Sequence, residues 1–187
     1  YCWVADPLDG TTNYIHDNAP YCVSIALRNK HELLLGVVYD PCLDECFYAW
    51  KGGGAYLNGQ SLQVSSVRSM EASFVVTELP YNSEQYARTG EYLIRELYGR
   101  VAGIRMNGSA AIALCYVAAG RFDAWLEAFL GKWDFSAAAL IVQEAGGRVT
   151  DFYGNAGFID GHHVVATNGW LHPFLLELVQ KAMPLGM

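Results

Sequence analysis

Trp3-Val4-Ala5-Asp6-Pro7-Leu8-Asp9-Gly10-Thr11-Thr12-Asn13 is the stretch that decides how this chain reads. Residues 1–5 are a short apolar run, read as a buried strand that stops at Asp6-Pro7 because proline cannot donate to a sheet ladder. Two carboxylates, Asp6 and Asp9, follow three positions apart. Pro7 stiffens the link and keeps the residue before it extended. Gly10 lets backbone approach a ligand closely. Thr11 and Thr12 open a short helical turn over 11–16, whose free N–H groups favour a phosphate. Carboxylates beside a phosphate repel it unless cations lie between them, and oxygen-only ligands select Mg2+ over softer metals. On spacing alone, a turn with an aspartate cap fits equally well.

Outward from that stretch, 21–28, 32–39 and 46–50 are rich in Val, Ile and Leu and read as strands. Asn58-Gly59 is a hairpin signal. Residues 1–66 thus read as one part, a mostly antiparallel sheet. The pattern changes over 67–187, the second part. Strands at 73–78, 104–106, 122–127, 149–151 and 164–167 alternate with helices at 83–98, 109–119, 134–145 and 172–182, which predicts an α/β layer. The fold class is α/β, an α+β layered sandwich. Ser109 is the expected cap of its helix.

A second motif, Trp133-Asp134-Phe135-Ser136-Ala137-Ala138, runs on to Glu144-Ala145-Gly146-Gly147. Asp134 sits at a helix N-terminus, where a plain cap is the ordinary reading. Ala137, Ala138 and Ala139 would let that helix pack closely. Glu144 reads as structural.

Composition narrows the classes. The 187 residues are 52% hydrophobic with net charge −7, enough for a real core and a poor basis for nucleic-acid binding, which needs clustered Lys and Arg. No run of eighteen apolar residues exists, so no membrane helix is expected. The five cysteines (Cys2, Cys22, Cys42, Cys46, Cys115) complete no zinc pattern and read as reduced, mostly buried thiols of a cytoplasmic protein. His162-His163 reads as a polar lead-in to the strand at 164–167 rather than a metal pair.

Together the two motifs resemble the D-P-x-D-G-T-x-N and W-D-x-A-A/G…E-A-G-G signatures of the inositol monophosphatase family. Gly52-x-Gly54-Ala55…Asn58-Gly59, Gly108-Ser109-Ala110-Ala111 and Val165-Ala166-Thr167-Asn168 also match, in the same order. The resemblance implies Mg2+-dependent, lithium-sensitive hydrolysis of a small phosphorylated polyol. Asp6 would bridge two metals, the Leu8 carbonyl would ligate one, and Asp9 and Asp134 would hold the other. Gly10 and Thr11 amides would bind phosphate, and the Thr11 hydroxyl would orient water. Gly108, Ser109, Ala110 and Glu127 would line the alcohol side, with Glu127 reading hydroxyls. The resemblance also implies a homodimer and, ahead of Tyr1, a helical segment carrying a further metal-site glutamate. Without that segment the chain is expected to be a poor enzyme and to expose apolar surface on its first sheet. Phosphatases of 3′-phosphoadenosine 5′-phosphate, fructose 1,6-bisphosphate or histidinol phosphate, and a non-catalytic regulatory partner, are the alternatives.

Overall fold

A computed structural model describes residues 1–79 and 84–183. The first sheet is an antiparallel meander in chain order: β1 (Cys2–Asp9), β2 (Cys22–Arg28), β3 (Leu33–Asp40), β4 (Glu45–Trp50), β5 (Ala55–Leu57) and β6 (Gln60–Ser61). The hairpin expected at Asn58-Gly59 joins β5 to β6, with both residues at positive φ.

The first strand departs from the expectation that it ends before Asp6-Pro7. It continues to Asp9 because it lies at the sheet edge, where the N–H that proline lacks has no ladder partner to lose. Its register shifts there: Asp6 faces Ser24 and Asp9 faces Cys22, so three steps on β1 match two on β2. In a regular strand, residues three apart point to opposite faces. The extra residue of this bulge cancels that alternation and lets Asp6 and Asp9 share one side.

The second sheet has the order β10-β11-β9-β7-β8, comprising β7 (Phe74–Thr77), β8 (Gly103–Arg105), β9 (Ala124–Ala128), β10 (Arg148–Thr150) and β11 (His163–Thr167). Strand β7 runs parallel to β8 and β9, whereas β11 runs antiparallel to β9 and β10. Helices α3 (Ala110–Ala118) and α4 (Lys132–Glu144) lie between the two sheets; α2 (Glu84–Leu97) and α5 (His172–Ala182) cover the far face of the second. The two cores show this layering. Val76, Trp125 and Val164 join the core shared with α3, α4 and the first sheet, while their neighbours Val75, Leu126 and Val165 join the core with α2 and α5. Helix α3 is apolar all round, as a helix between two sheets must be. Of the helix expected at 83–98, Ser83 lies outside the described residues.

Short side chains set the gap between α4 and the first sheet. Ala26, Gly36 and Ala49 stand side by side across β2, β3 and β4, and form a trough for Ala137. The opposite face of that sheet carries Trp3, Val23, Ile25, Tyr39 and Trp50, all exposed, with Tyr48, Trp50 and Tyr56 stacked. The link between sheets is tied by Asp123, which accepts from Phe74 N at 2.6 Å and from Ser65. Asn168, the last residue of the Val-Ala-Thr-Asn motif, donates to Ser65 Oγ at 3.0 Å and to the Val67 carbonyl at 2.7 Å.

The thiols are less buried than composition suggested: Cys22 and Cys115 are buried, Cys46 is half-buried, Cys2 and Cys42 are exposed, and all five are free. Among the described residues no helix is long and apolar enough to cross a membrane.

His172, at the start of α5, is fully buried between the hydroxyls of Thr150 (2.9 Å) and Thr167 (3.1 Å). Burial, with Arg148 adding to it, pushes its pKa down from 6.5 to about 4. Between those values the folded protein binds fewer protons than the unfolded chain, so stability falls as pH drops through that window. The expected loss is up to about 3 kcal/mol. Thermal unfolding from pH 7 to 4 measures it, and His172→Gln should flatten that acid limb.

Candidate metal and phosphate site

The β1 bulge, the turn into α1 (Thr11–Ile15) and the first turn of α4 meet at one point. Asp6, Asp9 and Asp134, 128 positions apart at the extremes, each offer a carboxylate oxygen within 4.8 Å of the others. Asp9 is buried, and its Oδ2 is fully engaged: it accepts from Ser109 Oγ at 2.6 Å, Ala111 N at 2.9 Å and Cys22 Sγ at 3.6 Å. Asp6 Oδ1 accepts from Leu8 N at 3.0 Å, and the Leu8 carbonyl accepts from Thr11 Oγ1 at 2.8 Å.

Asp134 is not the helix cap that its position suggested. Gly131 caps α4, which begins at Lys132, two residues before the expected start, and Asp134 is the third helical residue. Its Oδ2 accepts from Gly131 N at 2.7 Å. Gly10, the N-cap of α1, has φ +84°, and a Cβ there would lie 2.7 Å from the Pro20 carbonyl oxygen. Gly10 therefore permits close approach of the 16–21 loop, a reason the sequence reading placed instead on a ligand.

Electrostatics shows what the cluster lacks. Burial, then the neighbouring Asp9 and Asp6, raises the Asp134 pKa from 3.8 to about 7 despite the Gly131 N–H bond. Burial also raises Asp9. Two of the three convergent carboxylates, Asp9 and Asp134, are held back from ionising, and a divalent cation in the cluster would favour their ionised forms. All the donors are oxygens, the set that suits Mg2+.

The alcohol-side residues expected from sequence divide into two groups. Gly108, Ser109 and Ala110 form the entry to α3, where Ser109 caps the helix as expected, accepting from Ile112 N at 3.3 Å. The Ser109 hydroxyl proton goes to Asp9. Glu127 lies on β9; its Oε2 is buried with no hydrogen-bond partner, and burial followed by Glu78, Asp9 and Asp134 pushes its pKa well up. His163 opens β11, as the strand lead-in reading has it.

A family model described as the inositol monophosphatase family matches residues 1–183. The chain belongs to the inositol monophosphatase family. It is 46% identical over 186 residues to a protein named Nus factor SuhB from Pseudomonas aeruginosa, covering 98% of this chain and 69% of that one. It is 39% identical to an inositol-1-monophosphatase of Rhizobium meliloti, covering 97% and 68%. Against the SuhB of Escherichia coli (strain K12) it is 45% identical, covering 89% and 62%. The chain thus spans 62% to 69% of the length of these relatives. Among solved structures, a SuhB from Bartonella henselae superposes with TM-score 0.91 at 38% identity, covering 96% of this chain and 69% of that one. An IMPase of Thermotoga maritima superposes with TM-score 0.90 at 35% identity, covering 97% and 69%.

Several residues of this family member have partners that sequence reasoning did not identify. Glu144 accepts from Gly52 N at 2.8 Å and Gly54 N at 2.9 Å, so two separate motifs are the halves of one contact. This bears out Glu144 as structural. Asn13 donates to the carbonyls of Pro20 and Asn107, both at 2.8 Å, and so clamps α1 to the entry of α3. Its place in the first motif was the only signal. Glu78, just after β7, accepts from Asn107 N at 2.7 Å and Gly108 N at 3.0 Å; nothing in its local sequence marked it.

Proposed function

We propose that this chain carries the catalytic centre of a Mg2+-dependent phosphatase of small polyol phosphates, with inositol monophosphate as the leading substrate. The observation that carries the reading is the convergence of Asp6, Asp9 and Asp134 within 4.8 Å, beside the start of α1. Asp6, Asp9, Asp134 and the Leu8 carbonyl would hold the metal. When bound, Mg2+ supplies a water of lowered pKa and charge neutralisation for the transferred phosphoryl group.

The chain's own residues do the positioning. The amides of Gly10 and Thr11 face a phosphate at the start of α1, where N–H groups have no helical partner. The Thr11 hydroxyl donates to Leu8 O, which leaves its oxygen as an acceptor that would orient the attacking water. No protein nucleophile is required. The inferred test is phosphate release from a panel of esters, with and without Mg2+, by a form spanning the relatives' full length. Release that ignores Mg2+, or none from any ester, would overturn the reading.

Glu127 is assigned to the polyol. A buried carboxylate oxygen without a partner strongly prefers a substrate that supplies hydroxyls. Glu127→Ala should raise KM for inositol phosphate about tenfold, with little change for a phosphate ester lacking ring hydroxyls. Equal effects on both esters would remove Glu127 from recognition. A second reading, a non-catalytic role, is favoured by the name Nus factor that some relatives carry. It leaves the three convergent carboxylates unexplained, and the same panel separates the two.

A further inference from the structure

Glu78 has no Lys or Arg ion-pair partner among the described residues, although it is half-buried. Burial raises its pKa, and it stands near Glu127 and Asp9, so a carboxylate at this position is opposed by its surroundings. What it does hold is backbone. A single oxygen, Oε1, accepts both Asn107 N and Gly108 N. The same peptide is held from the other side by Asn13, whose side-chain amide donates to Asn107 O. Gly108 sits at φ +76°, and a Cβ there would lie 2.9 Å from the Asn13 amide, so this turn is pinched between the two side chains. The next residues, Ser109 and Ala111, deliver the two short bonds that fix Asp9 Oδ2.

We propose that Glu78 is a positioning residue for the acidic cluster: through the Asn107–Gly108 backbone it seats the start of α3, and so sets the direction in which Asp9 presents its free oxygen. The proposal rests on the metal-site reading above. Groups behind a ligand that fix its orientation commonly carry about 10- to 100-fold in metal affinity. Glu78 acts one step further back, so the lower end applies.

The test measures Mn2+ binding to the chain by electron paramagnetic resonance, well below the unfolding temperature, alongside thermal unfolding. Glu78→Ala should raise the Mn2+ Kd about tenfold. Glu78→Gln keeps an acceptor oxygen for both amides and should stay within about twofold of the unaltered protein, since the geometry and not the charge is what it supplies. Ser109→Ala cuts the relay between the turn and Asp9 and should weaken Mn2+ to a similar extent, which keeps the proposal testable if Glu78→Ala does not fold. A Glu78→Ala protein that melts earlier yet binds Mn2+ with unchanged Kd would reduce Glu78 to a loop tether and overturn the proposal. So would unchanged binding by Ser109→Ala. Failure of the unaltered chain to bind Mn2+ overturns the metal-site reading itself, a result distinct from equal binding by parent and variant.

Discussion

Asp134→Asn should lower Mg2+-dependent phosphate release by on the order of 10³-fold, and should raise the melting temperature of the metal-free protein above pH 7. The two effects have one cause. Asp134 lies with Asp6 and Asp9 in a partly desolvated cluster, and its pKa is raised from 3.8 to about 7. Between those values the folded protein keeps a proton that the unfolded chain releases, so without metal its stability falls as pH rises through the window. At pH 8 the full cost of a buried charge, with the repulsion of Asp9 and Asp6 added to it, is present in the parent and absent from the amide variant. Asp134 is partly exposed, and solvent screening reduces the gain to about 2 kcal/mol. The amide oxygen can still accept from Gly131 N, so the helix start is kept. Saturating Mg2+ should reverse the ranking, because a ligand that binds only the folded state stabilises it and the variant has lost a ligand oxygen. Melting curves at pH 8 with and without Mg2+, together with phosphate release, check the prediction. A variant no more stable than the parent without metal, or one as active, would contradict it.

The legibility of this fold from sequence followed the range of each interaction. Strands β2 to β4 and the hairpin at Asn58-Gly59 were read correctly because alternation and turn chemistry are local. Asp6, Asp9 and Asp134 stand out in the sequence because each sits in a dense motif, and the structure brings the three carboxylates together. The first strand was misjudged at Pro7, since whether a strand lies at a sheet edge is not written in its own residues. Asp134 was placed at the cap because Gly131, which has no side chain to signal a cap, does that work. Glu78 was invisible for another reason: its partners are backbone N–H groups 29 and 30 residues away, and backbone amides have no sequence identity. Glu144 was judged structural, but its pairing with the Gly52-x-Gly54 turn joins positions 92 and 90 residues apart.

Gly36→Ala is expected to cost about 3 kcal/mol, the opposite sign from the usual outcome of replacing glycine within a strand, where alanine is favoured by about 0.5–1 kcal/mol. The reason lies in the trough of small residues. A Cβ on Gly36 would lie 2.4 Å from the Ala137 carbonyl oxygen and 3.0 Å from its Cα. Both atoms are helix backbone, so no rotamer change relieves the clash, and either α4 or β3 must move. Gly36 is flanked in register by Ala26 and Ala49, already about as small as side chains can be, and Ala137 and Ala138 on the helix are fully packed. Protein interiors accommodate such strain poorly because they are close-packed. The movement matters beyond stability. Asp134 lies on the same helix, one turn before Ala137, so a shift of α4 away from the sheet carries its carboxylate away from Asp6 and Asp9, which stay on β1. Loss of melting temperature should therefore come with weaker Mn2+ binding at a temperature where the variant is folded. Gly36→Val should exceed Gly36→Ala in both. A variant that melts at or above the parent's temperature would show that α4 is not seated by this contact, and one that is destabilised but binds Mn2+ normally would uncouple the helix position from the site.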